Sequence, residues 1–248
     1  MDWCLIDEST VKQRIKFTSH FTRLPYRCQS KPFNLYQNPV TMSKLDLSKT
    51  LKSYYTAKIK PEIIDLPPTH YLSITGQGDP NAEDFGANVQ ALYATAYTLK
   101  FASKAKGQDF VVAKLEGLWW YDESKYSGLT MTESVQKVPR SEWQYRLLIQ
   151  LPDFVKPAAM AEAVESVWAK KQLQLVKNVH FYELHEGKVV QMLHLGPYAT
   201  EIESLLMMKD FMDQQGFQRN GLHHEIYLSD VNKTAPEKLK TILREPVK

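Results

Sequence analysis

The run GQGDPNAEDFGANVQALYATAYTLK, residues 76–100, is the most informative part of the sequence, because it leads a short strand directly into one long helix. Asn81 is the expected cap of that helix and Asp84 its reciprocal acid, a pairing typical of helix N-termini. Apolar side chains then recur at the spacing of one helical face, namely Phe85, Val89, Leu92, Ala96 and Leu99. The sequence therefore predicts a strand followed by a long amphipathic helix.

The same order of elements occurs twice along the chain. In the first half the long helix precedes VAKLEGLW and WQYRLLIQLP; in the second half LGPY and a helix precede HHEIYLSD and LKTILREPV. We expect an α+β fold in which duplicated β-α-β-β units form an antiparallel sheet, with the helices on one face and a ligand groove between the lobes. Within this pattern we also expect a turn at Gly117 and a hairpin over residues 178–196.

The start of the chain differs in character from the rest. The first 41 residues show neither a helical nor an alternating period, and organised sequence begins near Met42. We expect residues 1–45 to be an N-terminal extension, either disordered or upstream of the true start of translation. Residues 46–248 are then expected to form the folded domain.

Composition indicates a globular protein of ordinary type. Of 248 residues, 43% are hydrophobic and 24% charged, and the net charge of +3 is too small and too evenly spread to predict nucleic-acid binding. No apolar run approaches the roughly 20 residues needed to cross a bilayer, and the N-terminus lacks the pattern of a secretory signal. Both cysteines, Cys4 and Cys28, lie near the N-terminus. We therefore expect a cytoplasmic location, with neither nucleic acid nor membrane as partner.

The stretch HHEIYLSD, residues 223–230, alternates like a strand. His224, Ile226 and Leu228 would point one way, and His223, Glu225 and Tyr227 the other. Glu116 falls at the corresponding position of the first half. We expect both Glu116 and Glu225 to emerge near the seam between the lobes, on the face away from the helices.

Aromatic residues gather near this seam. Rings beside an acid suit a flat or cationic ligand, because stacking and cation–π contacts each contribute roughly 0.5–2 kcal/mol. The alternative for any single ring is ordinary core packing. The candidate ligand-binding residues are Glu116, Trp119, Trp120, Trp143, Tyr145, Tyr198 and Tyr227, with Glu225 as the candidate catalytic residue.

The motifs of other chemistries are missing from the sequence. His223 and His224 are adjacent on a strand and would point to opposite faces, so they cannot both ligate one metal ion. No dinucleotide-binding or phosphate-binding glycine motif occurs, and no serine or cysteine nucleophile is indicated. We expect neither a metal nor a cofactor, and a small molecule as the partner.

The motifs GQGDPNAEDFGANVQALYATAYTLK, LEGLWW, EWQYRLLIQLP, HHEIYLSD and APEKLKTILREPV together resemble the GyrI-like small-molecule-binding family, in its stand-alone bacterial branch. The resemblance covers about residues 45–248. It implies a duplicated fold with a groove between lobes, in which a glutamate matching Glu225 meets cationic aromatic drugs. It also implies a second activity, because some stand-alone members hydrolyse the cyclopropane ring of DNA-alkylating natural products within an aromatic cage.

Three functions are compatible with these observations. The first is a binder of planar, often cationic xenobiotics. The second is a hydrolase that opens electrophilic cyclopropanes, with Glu225 orienting a water molecule. The third is a protein–protein interaction module of the gyrase-inhibitor type, which would need an exposed recognition surface. The sequence does not separate binding from hydrolysis, since both require the same rings and the same acid, and it leaves the oligomeric state open.

Overall fold

A single sheet of antiparallel strands organises the molecule. The computed structural model describes residues 43–129 and 131–248, which belong to one compact unit, Met42–Lys248. The sheet has the strand order β1-β6-β8-β7-β3-β4-β2-β5. Its strands are β1 (Glu62–Leu66), β2 (Thr69–Gln77), β3 (Leu115–Trp120), β4 (Gln144–Gln150), β5 (His180–Leu184), β6 (Gly187–Leu195), β7 (His223–Tyr227) and β8 (Lys240–Pro246).

The sheet is strongly curled. Strand β5 ends at Leu184 and β6 begins at Gly187, yet six strand spacings separate them in the sheet. A flat sheet would hold them about 29 Å apart, whereas three residue steps reach at most about 11 Å. The two ends of the sheet must therefore approach one another, as in a half-barrel.

Three long helices cover one face of the sheet. The helices of the described chain are α1 (Leu47–Thr50), α2 (Lys52–Tyr55), α3 (Glu83–Ala105), α4 (Met131–Lys137), α5 (Pro157–Lys171) and α6 (Glu201–Gln215). Helix α3 packs on β2 and β4 and is itself covered by α5, whereas α6 packs on β6. The core beneath α3 includes Leu72, Leu92 and Leu147, and that beneath α6 includes Met192, Met208 and Leu243. The expected α+β fold with duplicated units is confirmed.

The opposite, concave face is closed by the two short helices. Leu47 of α1 and Tyr54 and Tyr55 of α2 join a core cluster with Ile226 and Ile242 of the central strands. Tyr54 bridges strands that lie four spacings apart, because its hydroxyl contacts that of Tyr71 in β2 and its ring lies under the Arg244 guanidinium of β8. Helices thus lie on both faces, with the long ones on one side only.

Three local predictions from the sequence were wrong. Helix α3 begins at Glu83 after Ala82, and no side chain caps it, so Asn81 is not the cap. Gly117 lies inside β3 rather than at a turn. Strands β5 and β6 are consecutive but do not pair with each other, because β5 joins β2 and β6 joins β1 and β8. Local patterns specify each strand, but the curl of the sheet decides which strands pair. The expectations for residues 1–42 lie outside the described residues.

Candidate functional site

Two central strands form the floor of a groove between the lobes. Helix α3 packs mainly on β2 and β4 and α6 on β6, so β3 and β7 lie between the two helices in the order of the sheet. These two strands pair with each other, so that Gly117 lies opposite Glu225 and Trp119 opposite His223. Partners in register share a face of a sheet, and Trp119 belongs to the core beneath α3. All four residues therefore face the helical side of the sheet.

Glu225 lies next to a cationic side chain at the floor of the groove. The Nε2 of His223 is 3.3 Å from a carboxylate oxygen of Glu225, and its Nδ1 is 2.5 Å from Glu245. Burial alone would lower the pKa of His223, but Glu245 and Glu225 outweigh it and raise that pKa to about 10. Glu245 also accepts a hydrogen bond from the Nε of Arg219 at 3.0 Å. Glu225 thus faces a protonated imidazole at neutral pH.

Because Gly117 has no side chain, there is room beside it for a hydrogen bond between Trp119 and Tyr227. The indole Nε1 of Trp119 donates to the hydroxyl of Tyr227 at 3.0 Å. A Cβ at position 117 would lie 2.9 Å from that nitrogen and 3.1 Å from that hydroxyl, closer than carbon atoms ordinarily come. Tyr198, just before α6, stands edge-on to Tyr227 with ring centroids 5.9 Å apart, and it is 40% exposed. These rings form an aromatic wall beside Glu225.

A second carboxyl group reaches the same floor from α6. Glu201, the first residue of α6, hydrogen-bonds Thr241 of β8, which lies opposite Tyr227 in register. Burial first, and then the charge of Glu225, raise the pKa of Glu201 well above its ordinary value. Its Oε1 is shielded from solvent and has no hydrogen-bond partner among the described residues. Glu201 therefore favours its protonated form more strongly than an exposed glutamate does.

The aromatic wall continues toward α3. Phe85 lies over Trp119 at 6.1 Å with nearly parallel rings, and Tyr145 lies 5.5 Å from Trp119. The amide of Asn88 donates to the Tyr145 hydroxyl at 3.0 Å. Tyr145 is fully buried, so it supports the ring of Trp119 from behind.

Glu116 is the main correction to the predicted site. Its register partner in β7 is Ile226, whereas Glu225 pairs with Gly117. The two carboxylates therefore lie on opposite faces of the sheet, and Glu225, not Glu116, is on the helical side. The expectation that both emerge together away from the helices was wrong. The cause is an offset of one residue between the two halves, and each such offset reverses the face of every side chain in a strand.

Glu116 instead belongs to a buried polar network on the concave face. Its carboxylate accepts from the hydroxyls of Tyr54 at 2.5 Å and Tyr55 at 3.2 Å, and it lies 3.0 Å from His224 Nε2. The other ring nitrogen of His224 lies 2.9 Å from Glu186. Burial would lower the pKa of His224, but Glu186 and Glu116 raise it instead. This network is sealed beneath α2 and does not contribute to the groove.

Of the two other predicted tryptophans, Trp120 lies on the opposite face of the sheet, whereas Trp143 packs against the core that contains Trp119 and Tyr145. Trp120 alternates with Trp119, so it shares the face of Glu116, and its Nε1 donates to Gln144 at 2.8 Å. Trp143 immediately precedes β4 and packs edge-on against Tyr121 at 5.4 Å. The structure thus brings together Trp119, Tyr145, Tyr198, Tyr227 and Glu225, and it separates Glu116 and Trp120 from them.

Sequence reasoning missed Glu201, Glu245 and the role of Gly117. Alternation in β8 places Thr241, Leu243 and Glu245 on one face, which is a usable signal once the face is known. Nothing local marks Glu201, which looks like any acid in the first turn of a helix. Among the described residues, no group of three or more His, Cys, Asp or Glu side chains is arranged to hold a metal ion.

Fold and groove together define a small-molecule-binding domain of duplicated β-α-β-β type. A family model described as GyrI-like small molecule binding domain matches residues 59–248, so the chain belongs to the GyrI-like family. A comparison with curated protein sequences gave no match. None of the described helices is both long and apolar enough to span a membrane.

Two solved structures from Listeria innocua resemble the chain closely. One is described as an uncharacterized conserved protein, with 37% identity and a TM-score of 0.74. The other is described as a hydrolase, with 38% identity and a TM-score of 0.71. In both cases the similarity covers 83% of this chain and 100% of the other. Identity at this level over the whole of both neighbours supports a shared fold.

Proposed function

We propose that the groove binds planar, cationic or electrophilic small molecules of the xenobiotic type. The observation that carries this proposal is the position of Glu225, which lies opposite Gly117 at the groove floor, beside the hydrogen-bonded pair Trp119 and Tyr227. A flat ligand would stack against Tyr198 and Tyr227 while Glu225 neutralises positive charge. Two cationic side chains, His223 and Arg219, accompany the acids Glu225 and Glu245, and Arg219 is the more exposed of the two. Its charge is therefore partly screened, which leaves the groove favourable to cations.

Hydrolysis of an electrophilic cyclopropane is the second function that the site supports. Glu225 retains some solvent access, with a side chain 15% exposed, so its carboxylate could hold a water molecule against a bound ligand. General-base assistance of this kind contributes about 10²–10⁴ in rate. A hydrolase with 38% identity over 83% of the chain favours the same reading. In this proposal the rings hold the substrate and Glu225 activates the water.

Neighbouring tryptophans on opposite faces give a matched test of where ligands bind. Ethidium, a planar cation, is titrated against Trp fluorescence in the wild type, Trp119→Phe and Trp120→Phe. We expect saturable quenching that Trp119→Phe weakens and Trp120→Phe leaves nearly intact, since only Trp119 faces the groove. The reverse ranking would move the site to the concave face.

Replacing the acid tests the chemistry of the same site. Glu225→Gln should lower the affinity for ethidium by about tenfold, as expected for the loss of one charge-assisted contact. The affinity for neutral phenanthrene should stay unchanged. Hydrolysis is followed separately by incubation with a cyclopropane-bearing alkylator and mass spectrometry of the ring-opened product. Turnover that survives in Glu225→Gln would exclude Glu225 as the base. Equal affinity for cationic and aliphatic compounds would remove the basis of the binding proposal.

A further inference from the structure

Glu201 places a carboxyl group in the groove without a clear local role. It begins α6, yet its side chain does not cap the helix; it turns to the sheet and hydrogen-bonds Thr241. Its Oε1 is buried and has no partner among the described residues. A buried polar atom without a partner costs roughly 1–3 kcal/mol. Among the described residues, the Glu201 side chain therefore has an oxygen whose hydrogen-bonding capacity is unused.

The surroundings of Glu201 decide which of the two groove acids carries the proton. Glu201 interacts electrostatically with Glu225, His223 and Tyr227 of β7 and with Tyr198 of its own segment, and it hydrogen-bonds Thr241 of β8. His223 lies 3.3 Å from Glu225 and gives that carboxylate a cationic partner, whereas Glu201 hydrogen-bonds the hydroxyl of Thr241. Two neighbouring carboxyl groups share one charge more readily than they hold two. Glu201, which lacks such a cationic partner within hydrogen-bond distance among the described residues, is therefore the better placed of the two to hold a proton.

We propose that Glu201 is the proton donor of the groove and donates through its buried carboxyl to a carbonyl oxygen of the bound molecule. This inference rests on the proposed function, because it assigns a second role within the same binding site. It also narrows the ligand class: a planar molecule that presents a carbonyl acceptor to Glu201 and an electron-poor or cationic portion to Glu225. Paired acids of unlike protonation are the usual arrangement for dividing acid and base roles.

The reaction written with both acids is balanced. A cyclopropane is electrophilic when it is conjugated with a carbonyl group. Water forms a C–O bond to a ring carbon, one ring C–C bond breaks, and its electron pair moves through the conjugated system to the carbonyl oxygen. That oxygen takes the proton of Glu201 and becomes an enol or phenol hydroxyl, while Glu225 takes a proton from the water. Transfer of one proton from Glu225 back to Glu201 through solvent restores the site.

Three substitutions separate proton transfer from hydrogen bonding and from general damage. Glu201→Gln keeps a donor N–H but cannot transfer a proton, whereas Glu201→Leu removes the donor. Glu203→Gln, an exposed acid in the same helical turn, is the matched control. The probes are 9-fluorenone, a planar neutral ketone, and phenanthrene, a planar hydrocarbon without an acceptor.

We expect Glu201→Leu to lower the affinity for 9-fluorenone by about tenfold, which is the effect of one hydrogen bond, and to leave the affinity for phenanthrene unchanged. Glu201→Gln should keep most of the affinity for 9-fluorenone but abolish its decline at alkaline pH. With a cyclopropyl ketone, Glu201→Gln should lower the rate of ring opening by roughly 100-fold or more. Wild-type affinity and pH dependence in all three variants would overturn the role of Glu201.

One readout does not depend on any ligand. Infrared difference spectra should show a carboxylic acid C=O band at neutral pH in the wild type and Glu203→Gln, and not in Glu201→Gln. If the band persists in Glu201→Gln, the proton lies elsewhere and the inference fails, even if the groove binds ligands as proposed. If the band behaves as expected but neither probe nor ethidium binds the wild type, the proposed function is wrong and the donor role fails with it.

Discussion

Glu225 and Glu116 show how one position of register separates two chemical environments. Glu225 lies opposite a glycine and beside a protonated histidine, in a groove with some access to solvent. Glu116, one strand away and offset by one residue, is fully buried among tyrosine hydroxyls and His224. Glu225 therefore keeps hydrogen-bonding capacity for a ligand, whereas the hydrogen bonds of Glu116 are made within the protein. We therefore expect substitutions of the two acids to affect different properties.

Glu116→Gln should destabilise the protein without altering ligand binding. His224 would lose one of its two buried carboxylate partners, and breaking a buried ion pair on one side typically costs 3–5 kcal/mol, here about 3 kcal/mol or more. Chemical denaturation measures the free energy of unfolding, and ethidium quenching measures binding by the folded protein. Glu165→Gln, an exposed acid of α5, should change neither. Reduced binding with unchanged stability would place Glu116 in the site after all.

Gly117→Ala should disturb both stability and the groove. The new methyl group would lie 2.9 Å from Trp119 Nε1 and 3.1 Å from the Tyr227 hydroxyl, so the bond between those side chains must open. Overpacking of this kind costs about 1–3 kcal/mol. The cost should be smaller in a Trp119→Phe background, where the indole nitrogen is gone, and a double-mutant cycle measures that difference. Additive effects would mean that the methyl group meets other neighbours.

The short helices α1 and α2 act as structural parts of the half-barrel, although they precede the residues that match the family model. The Tyr54 and Tyr55 hydroxyls donate to Glu116, and the Tyr54 carbonyl accepts from Arg244 at 2.9 Å. The connection between β5 and β6 makes a similar contribution, because its Glu186 contacts His224 and lies 3.7 Å from Arg244. Both segments fill the concave face of the sheet.

A chain that begins at Ile59 should therefore be far less stable than one that begins at Met42. Without α1 and α2, Glu116, Arg244 and their neighbours lose hydrogen bonds while remaining inside the sheet, and each unsatisfied buried group is costly. We expect the melting temperature to fall by on the order of 10 °C or more. The chain beginning at Met42 is the control, and we expect it to melt and bind as the full chain does. Equal melting of the two shortened chains would contradict the structural role of α1 and α2.

The whole sheet joins two charged clusters on its opposite faces, which makes stability sensitive to alkaline pH. His223 has a pKa raised from 6.5 to about 10 in the folded protein by Glu245 and Glu225 against the effect of burial. A raised basic pKa stabilises the fold fully below 6.5, and this stabilisation is lost as the pH rises through about 10. Tyrosines also titrate near that pH, so the comparison with a variant is essential.

His223→Gln should be less stable than the wild type at neutral pH, and the difference should shrink as the pH approaches and passes 10. Denaturant titrations at a series of pH values measure this difference directly. Glu201→Gln should behave in the opposite sense. The folded protein keeps Glu201 protonated above its ordinary pKa of 4.5, so removing the acid should stabilise the protein at neutral pH and not below 4.5. Parallel pH profiles for all three proteins would contradict both assignments.

The local elements and the fold class follow from short-range patterns in the sequence. Periodicity identified the long helix of the first half, the strands on each side of the domain and the duplicated order of the α+β fold, because these depend on neighbours within a few residues. Alternation also placed His223, Glu225 and Tyr227 on one side of β7 and His224 and Ile226 on the other. The order of these same motifs carries the resemblance to the GyrI-like family, whose model matches residues 59–248.

Long-range contacts determine which face of the sheet each strand residue occupies and which side chains meet on that face. The expected hairpin of β5 and β6 became a link between the two ends of a curled sheet, and that curl turned the face of Glu116 into an enclosed interior. An offset of one residue between the halves separated Glu116 from Glu225, and α6 brought Glu201 from a distant part of the chain to the groove floor. Periodicity defines which residues share a side of one strand, but pairing across strands, curl and helix placement depend on contacts that no local pattern encodes.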